Sequence, residues 1–288
     1  MPVAAAKRAP ARFDEGPDGG WWFTGWGSPR IAAGVTGRGL AAAELLGRLP
    51  PSFDRAQGST LNVPRLAFAR SGLRRAKSRR DVEGPPVTAV EAEQVHGAGI
   101  AVVGEAPFAG PVPGCDALVT GCRGTALLVR SADCLPIFFA DPRREVIGLA
   151  HAGWRGLAAW LPARVVATFR HVFHSRPGDL HVAIGPGIRG CCYEVGRDFP
   201  RSFAPFIQER EGRRPSTSFR TASRADVEGR RTCDLIAAAA AQLRACGVAP
   251  ARLTDAQRCT ACEPRHWYSL RREGPETGRL TALIVVKP

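Results

Sequence analysis

Apolar residues in this chain gather into short runs broken by Gly, Pro, Asp and Arg, a spacing that suits strands better than long helices. These runs predict strands at 87–90, 99–103, 117–120, 125–129, 180–184 and 280–286. Two further runs, 135–140 and 146–150, flank Asp141-Pro142-Arg143-Arg144, where Pro supplies the fixed φ of a tight turn; together they predict a β-hairpin. A helical period covers 154–173 through Leu157, Leu161, Val165, Val166, Phe169 and Phe173, with Pro162 either kinking that helix or beginning it. Helices are also predicted at 41–49 and, with its Ala run, at 235–246. Strands mostly in hairpins with helices set between them predict an α+β fold, a layered mixed-sheet sandwich, rather than alternating β-α units.

The hairpin brings chemistry together. If Ala140 pairs with Glu145, the antiparallel register carries down until Cys134 faces His151, and opposed residues share a sheet face at roughly 5 Å between Cβ atoms. A thiolate and an imidazole so placed can close on one metal ion. A catalytic site of this type takes a third protein ligand and leaves one position open; His96, in the polar turn Gln94-Val95-His96-Gly97, is the candidate. His171, His174 and His181 have no such partner and read as structural. Asp116 and Asp133 are the carboxylates nearest the proposed ligands, as proton shuttles or as groups that orient a ligating imidazole.

Anion chemistry has its own candidates. In Ala152-Gly153-Trp154-Arg155-Gly156 two glycines bracket Arg155 at a strand-to-helix transition, where outward N–H groups and the helix start favour a phosphate or carboxylate. The segment 184–194 is glycine-rich enough to let a ligand approach the backbone, although a tight turn alone would explain it. Arg271 and Arg272 precede the last strand, at a place that suits anion contacts and equally a solvated turn. Cys259 and Cys262 have C-x-x-C spacing, but no second such pair exists, so free thiols near a pocket are expected rather than a closed zinc site.

Composition narrows the class. The 288 residues are 44% hydrophobic, enough for a real core, and no apolar run reaches the roughly 18 residues of a membrane span. Residues 1–20, rich in Ala, Pro and Gly, read as a flexible tail before a single domain at 21–288, in which Trp21, Trp22 and Trp26 act as hydrophobic anchors. From 61 to 81 an apolar stretch passes into a basic cluster that a solvated helix end or loop explains. Nine cysteines without small-scaffold spacing, and no signal-peptide pattern, point to free thiols in a cytoplasmic protein. The formal charge of +14 is almost wholly scattered Arg, with Lys only at Lys7, Lys77 and Lys287, so a nucleic-acid partner is not expected.

Eight stretches then carry a resemblance. Q-V-H-G at 94–97, C-D-A-L-V-T at 115–120, S-A-D-C-L-P at 131–136, H-A-G-W-R-G at 151–156, G-P-G-I-R-G-C-C-Y-E-V-G at 185–196, and C-T-A-C with S-L-R-R-E-G and T-G-R after Cys259 resemble the YfiH/laccase-domain family over roughly residues 85–288. The resemblance implies a YfiH-like sandwich and a metal held by His96, Cys134 and His151, with zinc expected and copper the alternative. It implies a purine nucleoside phosphorylase with adenosine deaminase activity, in a family earlier labelled polyphenol oxidases or multicopper laccases. Its substrates would be a purine nucleoside and phosphate, and the protein a monomer or small homo-oligomer. Before residue 85 the chain lacks the family's acidic pair, and Arg38 is the one candidate substrate contact there.

On that reading Cys134 and His151 are catalytic as well as ligating, and Arg155 holds phosphate. The H-x-E and P-C-x-x-C strings of the zinc deaminases do not occur. A copper-dependent polyphenol oxidase is the second expectation, although six His cannot comfortably populate several copper sites. A basic binding protein with a non-catalytic metal site is the third.

Overall fold

The computed structural model describes residues 12–16, 20–26, 28–41, 87–105, 110–210 and 230–288. In chain order its strands are β1 (Arg12–Glu15), β2 (Gly20–Thr24), β3 (Ile31–Thr36), β4 (Thr88–Glu91), β5 (Ile100–Val102), β6 (Ala117–Thr120), β7 (Thr125–Ser131), β8 (Leu135–Asp141), β9 (Val146–Ala152), β10 (His181–Ile184), β11 (Ile207–Arg210), β12 (Arg230–Cys233), β13 (Leu253–Asp255) and β14 (Leu280–Val286). The helices are α1 (Trp154–Ala158), α2 (Leu161–Phe173), α3 (Leu235–Ala245) and α4 (Leu270–Glu273). The helix predicted at 41–49 and the basic stretch at 61–81 lie outside the described residues.

Two six-stranded mixed sheets form the body, ordered β1-β2-β3-β14-β7-β4 and β13-β10-β8-β9-β6-β5, beside a small β11-β12 ribbon. They enclose one apolar layer: Trp21, Phe23, Trp26, Leu127 and Ile284 of the first sheet region meet Leu118, Phe138, Ile147 and Leu149 of the second. The far face of the second sheet carries Ile137, Phe139 and Ala150, covered by Leu161, Val165 and Phe169 of α2 and by Leu235 and Ala239 of α3. With both faces of the second sheet covered, β8 and β9 are buried along their whole lengths, which is why they read as unbroken apolar runs; β14 of the first sheet is likewise buried throughout. This is the layered α+β sandwich that the strand pattern predicted.

Three local expectations change. Residues 12–15, read as tail, form a strand paired with β2 (Phe13 opposite Phe23), because Phe13 has Trp21, Phe23 and Trp267 to pack against. The helical stretch 154–173 is two helices, since Trp160 takes a left-handed conformation (φ 60°) and Pro162 sits in the first turn of α2, where its missing N–H costs nothing. The hairpin register also moves: Asp141 pairs with Val146, Ala140 with Ile147 and Pro136 with His151. Asp141 stays in the strand because its Oδ1 accepts the N–H groups of Arg143 (3.0 Å) and Arg144 (3.2 Å), and Glu145 closes the loop with φ 56°. The shift is even, so Cys134 and His151 keep a common face but sit diagonally, two residues out of direct register.

Candidate metal centre and its cavity

The site lies at the sheet rim where β8 begins and β9 ends. His151 projects from the face that also carries Ile147 and Leu149, and it is buried. Cys134 immediately precedes β8. His96 arrives from the loop after β4, where Gln94 (φ 65°) and His96 (φ 58°) both adopt the left-handed conformation. Such backbone is costly for residues with side chains and persists only when surroundings enforce it. Here the Gln94 amide donates to the Arg130 carbonyl (2.6 Å) and accepts the Arg130 N–H (2.7 Å), tying the loop to β7. Asp116 accepts the N–H groups of His96 (2.9 Å) and Gly97 (2.6 Å).

Asp116 also reaches the other imidazole, with its Oδ1 3.0 Å from His151 Nδ1. One fully buried carboxylate therefore fixes the loop that carries one His and the ring of the other, and with Nδ1 committed, Nε2 of His151 is the nitrogen left to face Cys134. Of the two roles expected for Asp116, this contact is the orienting one. The donor atoms of His96, Cys134 and His151 all lie within 4.8 Å of one another. The two rings stand nearly perpendicular, 4.8 Å between centroids. Gly153 is required for this closeness, because a Cβ there would sit 2.9 Å from Cys134 Sγ.

The electrostatics follow from the packing. Burial pushes the Cys134 thiol up, but hydrogen bonds from His151 and His96 outweigh it and bring the group down to about 7. Burial pulls His151 down, yet Asp116 and Cys134 together raise it to about 9. Burial pushes Asp116 up, and its bonds to His151, Gly97 and His96 leave it below the ordinary carboxylate range. A thiolate poised beside an imidazolium is what a cation would displace a proton from.

Beside this cluster opens a cavity of about 450 Å³ whose walls include His96, Cys134, Trp154, Arg155, Tyr193 and Arg271. Arg155 lies in α1 with its guanidinium 4.6 Å from the Trp154 ring, and among the described residues no carboxylate pairs with it. Arg271, in α4, donates to the Glu194 carbonyl (3.0 Å) and covers Tyr193. Asp133, at φ 98°, lines the cavity with both oxygens engaged, one by the Thr260 hydroxyl (2.5 Å) and one by the Arg271 N–H (2.7 Å). Arg38 lies apart: it pairs with Glu273 (2.6 Å), covers the Tyr268 ring and does not line the cavity. Sequence reading assigned no role to Tyr193, Trp154 or Leu270, since an aromatic or apolar side chain bears no mark of which cavity it will face.

Cys259 and Cys262 are free thiols, as expected, but they do not stand alone: the free thiols of Cys191 and Cys192 meet them, and these four sulfurs also lie within 4.8 Å of one another. No second C-x-x-C marks these partners, because they come from the adjacent pair in the loop after β10, 68 residues before Cys259 in the case of Cys191.

Fold and cluster together define a layered α+β protein with a thiol–imidazole centre at a sheet rim. The chain belongs to the multi-copper polyphenol oxidoreductase laccase family, whose sequence signature matches residues 72–287. It is 39% identical over 199 residues to purine nucleoside phosphorylase YlmD of Geobacillus stearothermophilus, covering 67% of this chain and 70% of that protein. It is 34% identical over 173 residues to adenosine deaminase RL5 of an unknown prokaryotic organism, covering 58% and 60%. The crystal structure of YlmD from Geobacillus stearothermophilus matches with a TM-score of 0.67 at 30% identity, over 97% of this chain and 100% of that one.

The residues fit one metal ion at the thiol–imidazole centre. They do not fit a His-rich multicopper cluster: of the six His, all described, only His96 and His151 join a group of donors that could hold an ion. His171 ends α2, His181 opens β10 and His266 lies edge-on to Trp21. No helix among the described residues is long and apolar enough to cross a membrane.

Proposed function

We propose that this protein is a metal-dependent purine nucleoside phosphorylase with adenosine deaminase activity, its metal held by His96, Cys134 and His151. The observation that carries the reading is the opening of this donor cluster into a cavity that also holds Arg155, Arg271 and the rings of Trp154 and Tyr193. The names of the two relatives above support it, one a phosphorylase and the other a deaminase. Zinc suits a thiolate and two imidazoles; copper accepts the same donors.

In phosphorolysis of adenosine, inosine or methylthioadenosine, the ribose C1′–N9 bond breaks and a C1′–O bond to phosphate forms, giving the free base and ribose 1-phosphate, or 5-methylthioribose 1-phosphate from methylthioadenosine. Both the phosphate and the departing purine are negative, so Arg155 and Arg271 are the groups that position them and offset their charge. Trp154, Tyr193, Leu235 and Leu270 offer flat or apolar walls to a purine. In deamination water adds at C6 and ammonia leaves. A metal at the centre would supply Lewis-acid polarisation beside the substrate. Asp116 keeps His151 Nδ1 protonated and its ring fixed, Gly153 leaves room for the Cys134 sulfur, and Asp133 holds the Arg271 backbone against the cavity.

The test is product identification from adenosine with and without phosphate, alongside elemental analysis. Free adenine with ribose 1-phosphate only when phosphate is added, and inosine without it, is the expected result. Phenol oxidation that needs oxygen, with neither nucleoside product, would overturn the reading.

A further inference from the structure

The four cysteines outside that centre form a second, different assembly. Cys191 Sγ lies 3.5 Å from Cys259 Sγ and 3.5 Å from Cys262 Sγ, and Cys192 Sγ lies 3.3 Å from Cys262 Sγ. Each contact is shared around the group rather than concentrated in one pair. Tetrahedral coordination by thiolates, with bonds of about 2.3 Å, places sulfurs roughly 3.8 Å apart. All four sulfurs fall within 4.8 Å of each other, so an ion at their centre needs only small side-chain rotations.

The backbone holds this spacing. Gly187 bridges to Cys259 and accepts the Thr260 N–H at 3.2 Å, joining the loop after β10 to the loop after β13. The Arg189 guanidinium forms two 2.8 Å bonds to Asp255 across the same junction. Glu263 accepts the Cys259 N–H and returns its own N–H to the Cys259 carbonyl, both at 3.2 Å.

We propose that Cys191, Cys192, Cys259 and Cys262 bind a zinc ion as a closed tetrathiolate site that staples these two loops together. Four soft sulfur donors select zinc or an iron–sulfur cluster over harder ions, and four protein ligands leave no open position, so the role is structural rather than catalytic. On binding, zinc replaces the thiol protons, which pass to buffer; no oxidant or reductant takes part. The stapled loop after β10 carries Ile188 and Tyr193, two walls of the cavity, and the other loop carries Thr260, which holds Asp133. The staple thus fixes the cavity wall from behind. This assignment does not depend on the nucleoside reading.

Full-length protein carrying Cys134→Ala and His151→Ala isolates the second site. Purified with reductant and zinc, it is expected to retain about one zinc per chain. Cobalt substitution is expected to give an intense thiolate-to-metal band with tetrahedral ligand-field bands. Adding Cys192→Ser and Cys262→Ser is expected to remove both the zinc and the band. Because that variant could misfold, hydrogen exchange of the Cys134→Ala, His151→Ala protein before and after chelation gives a second readout, with 185–194 and 257–263 losing protection together. Absence of zinc from the first variant, its retention after the serine substitutions, a disulfide among the four under reductant, an iron–sulfur chromophore, or exchange unmoved by chelation would each overturn the proposal.

Discussion

The two donor clusters differ in what surrounds them. His96, Cys134 and His151 mix one sulfur with two nitrogens, sit at the rim of a sheet, rest on a buried carboxylate and face a cavity. The four cysteines are all sulfur, join two loops and are tied by backbone bonds on several sides. Three protein donors beside open space suit chemistry, and four suit a clamp. Donor count and the space left over therefore separate the roles, even though both clusters are built from cysteine.

Removing a donor from the first cluster is the sharpest way to break this contrast. Cys134→Ala or His151→Ala is expected to lower nucleoside turnover by about 10³-fold or more and to remove one metal, leaving the tetrathiolate loaded and the circular dichroism unchanged. Full metal occupancy in either variant would take that residue out of the ligand set. Gly153→Ala is next: its Cβ would press on the Cys134 sulfur at 2.9 Å, and metal affinity at that centre is expected to fall by about 10- to 100-fold, measured by competition with a chelator. Asp116→Asn is expected to lose a comparable amount, because the amide restores shape but not the charge that holds both imidazoles. Affinity equal to wild type would show that the carboxylate only shapes the loop.

Arg155→Ala is expected to reduce phosphorolysis about 10-fold while deamination falls less, since only the first reaction uses phosphate. Equal losses would deny Arg155 a phosphate-specific role. The smallest effect belongs to Glu273, which is a donor in neither cluster. Burial pushes the Glu273 carboxyl up, but Arg38, Arg272 and Thr277 outweigh it and hold it down at about 2. A lowered carboxylate pKa contributes stability above the ordinary value near 4.5, and that contribution disappears as pH falls through about 2. Glu273→Gln is therefore expected to melt slightly below wild type at neutral pH, with the gap closing between those two pH values.

Much of the scaffold was legible along the chain. β6 and β14 fall where their apolar runs were read, and α3 starts at Leu235 because Asp234 accepts the Ala237 N–H (2.9 Å), a cap worth about 1 kcal/mol. That His96, Cys134 and His151 come together was legible too, although the register that paired two of them was wrong by one step on each strand. The inference survived because side chains alternate with a period of two, and an even slip preserves the face.

What the sequence by itself determined is local: which runs become strands, which face of the hairpin bears sulfur and imidazole, and that a third His was at hand. Tertiary structure alone decided that Asp116 serves both imidazoles, that Arg38 is spent on Glu273 and Tyr268, and that Cys191 and Cys192 meet Cys259 and Cys262. The reason is physical. Periodicity is written into neighbouring residues, whereas a contact between residues 68 apart exists only after the strands between them have packed and brought their loop ends to one corner.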